Sequence, residues 1–306
     1  MVPPATYSLV IPTCNRLAFL IEAIQSAVKS APAGMEIIVV NDGDPFDATQ
    51  LPQIATPITL HQNAGDAGAS GARNYGVAQA KGDWIFFLDD DDLIAPGYWA
   101  HLAATLLTTL DKDALAYGFC ATADFRDRGF QPSQSVAGTW QSLVAPCDAK
   151  ALSGLGKGFW VSRTAYQTVG GLDTALRVNE DTEFCINLLK HGAQAYELDQ
   201  VGAYIFDGAY SANQGSVTAS QSADNRRQYM ARIIDKHADY LAQNQSLSLW
   251  LHKRLYKFAA RSQPDKRLPT SAAQASLTFI DKLTLKASFI GHRLLAARRQ
   301  KTKRTR

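Results

Sequence analysis

Cysteine is scarce in this chain: four residues in 306, at Cys14, Cys120, Cys147 and Cys185, with no CxxC pair among them. That scatter argues against a zinc ribbon or a disulfide framework and fits a reducing compartment. Long apolar runs are missing as well. No uninterrupted stretch reaches the ~20 residues that a bilayer-spanning helix needs. The opening MVPPATYSLVIPTCNR lacks the charged start and apolar core of a secretory signal. These absences predict a cytoplasmic protein. An apolar fraction of 46% with 19% charged residues excludes a disordered chain and describes a globular one.

The net charge of +3 is small only because two regions cancel. Residues 253–306 hold fifteen Lys or Arg against two Asp or Glu, a balance of +13, which leaves residues 1–252 at −10. Composition therefore predicts two regions, and the change to a helical, basic pattern beyond about Ser220 sets the expected bounds at 1–220 for the main domain and 221–306 for the basic helical extension.

The first hundred residues alternate apolar runs with helical spacing. YSLVIPT, MEIIVVN, TPITLHQ and DWIFFL read as strands. LAFLIEAIQSAVKS and the small-residue segment GASGARNYGVAQA read as helices, and Pro96 suits the first turn of another, running to about Leu110. This predicts an α/β fold with a mostly parallel central sheet flanked by helices. Ligands of such sheets bind outside the carboxyl ends of the strands, where three polar clusters fall: Thr13–Arg16, Asn41–Asp44 and Asp89–Asp92. Downstream, ALAYGFCATADF reads as a strand, GKGFWVSRTAYQTVGGLD as irregular, and NEDTEFCINLLKHG as a helix with Asn179 as N-cap and Gly192 past its end.

WIFFLDDDD raises the sharpest question: an apolar strand runs straight into four aspartates. If residues 85–91 are extended, Asp89 and Asp91 share a face while Asp90 and Asp92 point away. Two carboxylates at a sheet mouth suit Mg²⁺ or Mn²⁺, which takes one or two protein oxygens and completes its shell with water and phosphate. A solvated acidic turn is the plainer alternative. Asp42 could accept hydrogen bonds from a base or ribose, or form an Asx-turn. Arg73 could meet a phosphate or a base edge, or pair with the neighbouring acids. Glu180 and Asp181 stabilise a helix start by about 0.3–1 kcal/mol, or one of them serves as a general base. Trp160 is read as a core or interface residue before a sugar-stacking one.

Taken in order, SLVIPTCNR, IIVVNDGD, GASGARN, GDWIFFLDDDD and GGLD…NED resemble the family 2 glycosyltransferases of the GT-A fold, over roughly residues 6–220. The resemblance implies inverting transfer of a sugar from a nucleotide-diphosphate donor, UDP-sugar favoured, to an acceptor hydroxyl in surface polysaccharide or glycolipid synthesis. It makes Asp89 and Asp91 the ends of a DxD motif that holds Mn²⁺ or Mg²⁺. Pro12, Thr13, Arg16, Asp42, Arg73, Asp89 and Asp90 become nucleotide-binding residues. Asp181 becomes the catalytic base, with Glu180 supporting acceptor placement. Two positions depart from the family's pattern: Asn41 stands where many relatives carry Asp, and Asn213 replaces a histidine upstream of Ser216 and Thr218. A sugar-1-phosphate nucleotidyltransferase would be expected to carry a Gly-rich, basic loop after its first strand, which IPTCNR is not. A non-catalytic nucleotide-sugar binder would have no use for a base such as Asp181.

Near the end of the chain, Ile280, Leu283, Ala287, Ile290 and Leu294 recur on one side of a predicted helix over 278–297, with RRQKTKRTR after it. A basic amphipathic helix predicts either an anionic membrane surface as partner or packing on the acidic domain. The tail holds no nucleic-acid recognition motif and few aromatics, so nucleic acid is not expected.

Overall fold

The structure is a computed structural model that describes residues 5–133, 135–143, 149–207, 221–262 and 277–304. The Asn213, Ser216 and Thr218 positions lie outside the described residues. The chain divides into two compact units, the first drawn from residues 1–144, 151–175 and 180–210 and the second from 145–150, 176–179 and 211–306.

In the first unit the strands are β1 Tyr7–Thr13, β2 Met35–Asn41, β3 Ile58–Gln62, β4 Trp84–Phe87, β5 Leu93–Ile94, β6 Ala116–Phe125, β7 Trp140–Leu143, β8 Trp160–Ser162 and β9 Gln194–Phe206. Among the described residues they form one sheet in the order β3-β2-β1-β4-β8-β6-β9-β5, with β7 also on β9. Pairing is parallel from β3 through β4 and again between β6 and β9; β5, β7 and β8 run antiparallel to their neighbours. Every residue of β1 and β4 is buried, as befits strands covered on both faces. The flanking helices are α1 Leu17–Ser30, α2 Ala69–Gln79, α3 Tyr98–Thr105, α4 Arg163–Thr168 and α5 Glu180–Lys190.

The glycines of α2 have a packing cause. A Cβ on Gly76 would stand 2.5 Å from Val10 Cγ1 of β1, and one on Gly71 would overlap the Asp66 carbonyl. Bare glycine lets this helix lie close against the sheet, which brings Arg73 to the sheet's carboxyl edge. Trp160 is fully buried, stacked on Tyr196 and edge-on to Trp84 and Trp140. It is a core residue.

Three local expectations are corrected. The helix after Pro96 starts at Tyr98 behind Gly97, whose φ is 75°, and ends at Thr105 before a 3-10 turn over Leu107–Thr109. The segment read as irregular contains β8 and α4, too short for periodicity to show. Asn179 precedes α5 but has φ 63°, a left-handed backbone rather than the extended one usual at an N-cap.

The second unit contains α6 Ala223–Lys236, α7 Ala238–Gln243, α8 Gln245–Arg261 and α9 Phe279–Arg304. α8 packs against α6 and α9. With α9 it forms a small core of Tyr256, Ala259, Ala260, Leu277, Leu285 and Phe289.

Candidate active site

The extended run does not reach the aspartates. β4 ends at Phe87, and the chain then turns, with the Asp92 N–H donating to the Asp89 carbonyl at 3.2 Å. The expected alternation across Asp89–Asp92 is therefore corrected to a tight turn in which Asp90 and Asp91 share Arg16 while Asp89 and Asp92 meet other partners.

Asp90 is 1% exposed. It accepts from the Thr13 hydroxyl at 2.7 Å and from Arg16 Nε at 3.2 Å, with Arg16 Nη2 2.5 Å from its other oxygen. Arg16 Nη1 reaches Asp91 Oδ2 at 2.6 Å. Arg16, from the β1–α1 loop, thus clamps two acids of the turn to the end of β1. Asp89 pairs through Oδ1 with Arg73, whose Nη1 lies 3.7 Å from Glu180 Oε1. Asp92 accepts the Phe206 N–H at 3.0 Å. A Cβ on Gly156 would stand 2.7 Å from Asp92 Oδ2 and 3.3 Å from Asp89 Oδ2, so both carboxylates close on bare backbone.

Burial dominates the electrostatics. It pushes the Asp90 carboxyl up to about 6, against the pull of Arg16 and the Thr13 hydroxyl. Asp91 and Asp92 are raised by burial too, Asp92 further by its neighbouring aspartates. Glu180 is pushed up to about 7 by burial and then by Asp181, with Arg73 opposing. Arg73 is 4% exposed, and its Nε and Nη1 have no hydrogen-bond acceptor among the described residues.

Asp181 sits in the first turn of α5 and is partly open, accepting the Thr182 N–H at 2.6 Å through Oδ1. Its Oδ2 lies 3.4 Å from where a Cβ on Gly154 would be. Asp42, one residue past β2, is held from both sides: Gly68 N–H donates to Oδ2 and Asn63 Nδ2 to Oδ1, each at 2.6 Å. Pro12 is buried within β1, beyond the stretch of that strand paired with β4. Beside Arg16 opens a cleft of about 690 Å³ between Asn15–Leu17 and Asp44–Gln50.

Two side-chain networks thus meet at the turn, Thr13 and Arg16 with Asp90 and Asp91, and Arg73 with Asp89 and Glu180, with Asp181 adjacent to Glu180 in sequence. The Asp42 side chain belongs to a further network with Asn63 and Gly68, while its N–H donates to the Thr13 carbonyl at 2.8 Å. Asp92, Asn63, Gly154 and Gly156 are site residues that sequence reasoning did not single out. The acidic run itself pointed at Asp92.

The donor set fits a hard divalent cation. Four carboxylates, from Asp89, Asp90, Asp91 and Glu180, pair with two guanidinium groups, Asp92 and Asp181 adjoin them in the chain, and these side-chain donors are all oxygen. Among the described residues no three His, Cys, Asp or Glu side chains converge as ligands. The protein's share of the shell would be a carboxylate or two, as is usual where phosphate and water complete it.

A mostly parallel α/β sheet with an acidic, arginine-braced cluster at its strand ends presents a candidate ligand site of the kind such sheets form. The chain belongs to glycosyl transferase family 2, whose model matches residues 8–164, more than half of its length. It is 24% identical over 240 residues to an uncharacterized glycosyltransferase of Haemophilus influenzae, covering 76% of this chain and 80% of that one. It is 26% identical over 249 residues to the uncharacterized glycosyltransferase YwdF of Bacillus subtilis, covering 75% and 83%. In fold it is similar to residues 1–349 of S. aureus TarS in complex with UDP-GlcNAc, with TM-score 0.57, 15% identity and coverage of 97% and 92%. Against a longer TarS structure the TM-score is 0.59 at 14% identity, covering 94% of this chain and 54% of that one. The fold is thus GT-A-like, with helices added at its C-terminal end.

Proposed function

We propose that this glycosyltransferase moves a sugar, with inversion, from a nucleotide-diphosphate donor to an acceptor hydroxyl, and that the donor is a UDP-sugar. The observation that carries the proposal is Arg73, which links Asp89 of the strand-end turn to Glu180 of the Glu180–Asp181 pair. It ties a cation-suited acid cluster to the neighbour of the candidate base Asp181. The UDP and UDP-GlcNAc complexes of TarS, which shares the fold, support the choice of nucleotide.

Asp42, with the cleft beside Arg16 and the end of β1 at Pro12 and Thr13, is the side for the nucleoside. Asp89 and Asp91 would hold Mn²⁺ or Mg²⁺; such an ion supplies charge stabilisation for a departing diphosphate. Each of those carboxylates meets its arginine through one oxygen. Asp181 takes the proton of the acceptor hydroxyl while that oxygen attacks the anomeric carbon opposite the diphosphate. The bond to the diphosphate oxygen breaks as the new C–O bond forms. Glu180, raised to about 7 and near Arg73, orients the acceptor. A saccharide or lipid-linked acceptor for surface polysaccharide or glycolipid fits this chemistry, and a lipid-linked one would place the enzyme on the cytoplasmic face of a membrane.

The test is Asp181→Asn, which keeps the acid network bound to Arg16 and Arg73. Nucleotide binding, read as a thermal shift with UDP and Mn²⁺, should persist. Transfer should fall by ~10²–10⁴, the usual weight of a general base. Wild-type transfer by this variant removes Asp181 as the base. No shift of the wild type with UDP, GDP, dTDP or CMP, each with and without Mn²⁺, removes the donor reading.

A further inference from the structure

α9 has two apolar faces, and among the described residues only one of them is covered. Leu285 and Phe289 are buried against α8, with Phe289 edge-on to Tyr256 at 6.0 Å. Phe279, Ile280, Leu283, Ile290 and Leu294 are 49–75% exposed, and Ala287 is exposed beside them. At about 100° per residue these six side chains occupy an arc of roughly 100°, opposite the one that holds Leu285 and Phe289. From Phe279 to Leu294 the open stripe runs about 22 Å along the helix. A contiguous exposed stripe of that length marks an interaction surface rather than ordinary surface scatter.

Charge identifies what covers it. Lys282, Lys286 and Arg293 lie together along one border of the stripe by the same geometry. The helix sequence carries eight Lys or Arg against Asp281 alone. That carboxylate accepts from the Thr278 hydroxyl at 2.8 Å and from its N–H at 3.2 Å, so it is engaged at the helix start. A second copy of this helix is a poor occupant. The spacing 280, 283, 287, 290, 294 is that of a coiled-coil seam, but its flanking positions supply Lys286, Arg293 and Arg298 and no acid. Two parallel copies would set Arg293 against Arg298, where stable pairs place opposite charges. Among the described residues no helix is long and apolar enough to cross a membrane.

We infer that α9 docks on an anionic lipid surface, lying in the interface plane with Phe279, Ile280, Leu283, Ile290 and Leu294 inserted and Lys282, Lys286 and Arg293 at the headgroups. The apolar stripe supplies area and the basic border supplies attraction to anionic lipid, the two contributions that hold interfacial helices. Leu285 and Phe289 keep the helix fixed to α8 while its other side is engaged. The inference rests on the transferase reading only for its purpose, delivery to a lipid-linked acceptor.

The experiment is sedimentation of the full chain with vesicles of phosphatidylcholine, with and without phosphatidylglycerol, at low and high salt. The wild type should bind the phosphatidylglycerol vesicles at low salt and leave those of phosphatidylcholine alone. Replacing Leu283, Ile290 and Leu294 together by Gln should weaken binding at least about tenfold with an unchanged thermal midpoint, because all three side chains are exposed. Lys282→Gln with Lys286→Gln should weaken binding less and flatten its salt dependence. Wild type that stays in the supernatant with both vesicles overturns the inference. So does a triple variant that binds as the wild type does, or one that converts a concentration-dependent dimer to monomer while neither form binds vesicles. Transfer to a soluble acceptor, assayed alongside, should be equal in wild type and triple variant. Vesicle binding without any transfer by the wild type leaves this inference standing and removes the transferase reading instead.

Discussion

Two clusters of like charge sit in this chain and are handled in opposite ways. The acids of Asp89–Asp92 are drawn inward: Asp90 and Asp92 are buried, and Arg16 and Arg73 are brought in beside the cluster. On α9, Lys282 and Lys286 are left exposed, and the helix sequence holds one acid, Asp281. Buried charge costs folding stability unless each group finds a partner, whereas exposed charge costs little and stays available to an outside surface. The first arrangement suits a site built around a small ion and a diphosphate. The second suits a broad, shapeless partner. Clustered like charge is braced by internal partners in one place and left open to an outside one in the other.

The comparison breaks most easily at Arg73. It is nearly fully buried and faces Asp89 and Glu180. Arg73→Met would strand two acids, and losing one partner of a buried pair typically costs about 3–5 kcal/mol. Urea unfolding should show a loss of that order. A loss below about 1 kcal/mol would mean that the pair behaves as an exposed one and that water already reaches the site. Excess Mn²⁺ should recover part of the loss if the cation replaces the guanidinium's charge.

A smaller effect comes from Glu180. Its carboxyl is raised in the folded protein to about 7, so the folded state holds a proton that the unfolded state releases at lower pH. Stability is then lost as pH rises from the unfolded value toward about 7. Glu180→Gln removes that loss. The variant should be more stable than wild type at pH ~8, by roughly 1–3 kcal/mol, with the difference shrinking toward pH ~5. Urea midpoints at the two pH values measure it. Equal midpoints at both would show that Arg73 cancels the burial.

Much of this was legible in the residues and some was not. β1, β2 and β4 are covered on both faces, so each reads as a near-unbroken apolar run, and the carboxyl-edge rule then gathers Thr13, Arg16 and Asp89–Asp91 correctly. β5 has two residues and β8 three, too few for any period to register. The glycines around Arg73 read as small residues of a helix, and their cause is distant: Val10 for Gly76 and the Asp66 carbonyl for Gly71. The turn at Asp89–Asp92 escaped because alternation presupposes an extended chain, and the partners that bend it, Arg16 and the Phe206 N–H, lie 73 or more residues away. Periodicity found the stripe Ile280–Leu294 but could not say that the packed face of α9 was the other one.

That last point gives the finest test of the contrast between buried and exposed. Leu285 and Ile290 are five residues apart on one helix and both aliphatic. Leu285→Ala empties a site that is 1% exposed, packed among Tyr256, Ala259 and Phe289, and should cost about 2–5 kcal/mol. Ile290→Gln changes a side chain that is 58% exposed and should stay within about 0.5 kcal/mol of wild type. Thermal midpoints of the two variants, taken without vesicles, compare them directly. If Ile290→Gln costs as much as Leu285→Ala, the stripe is covered in the free protein, and lipid docking must first uncover it. If only Leu285→Ala is costly, the open face is held for a partner at almost no expense to the fold.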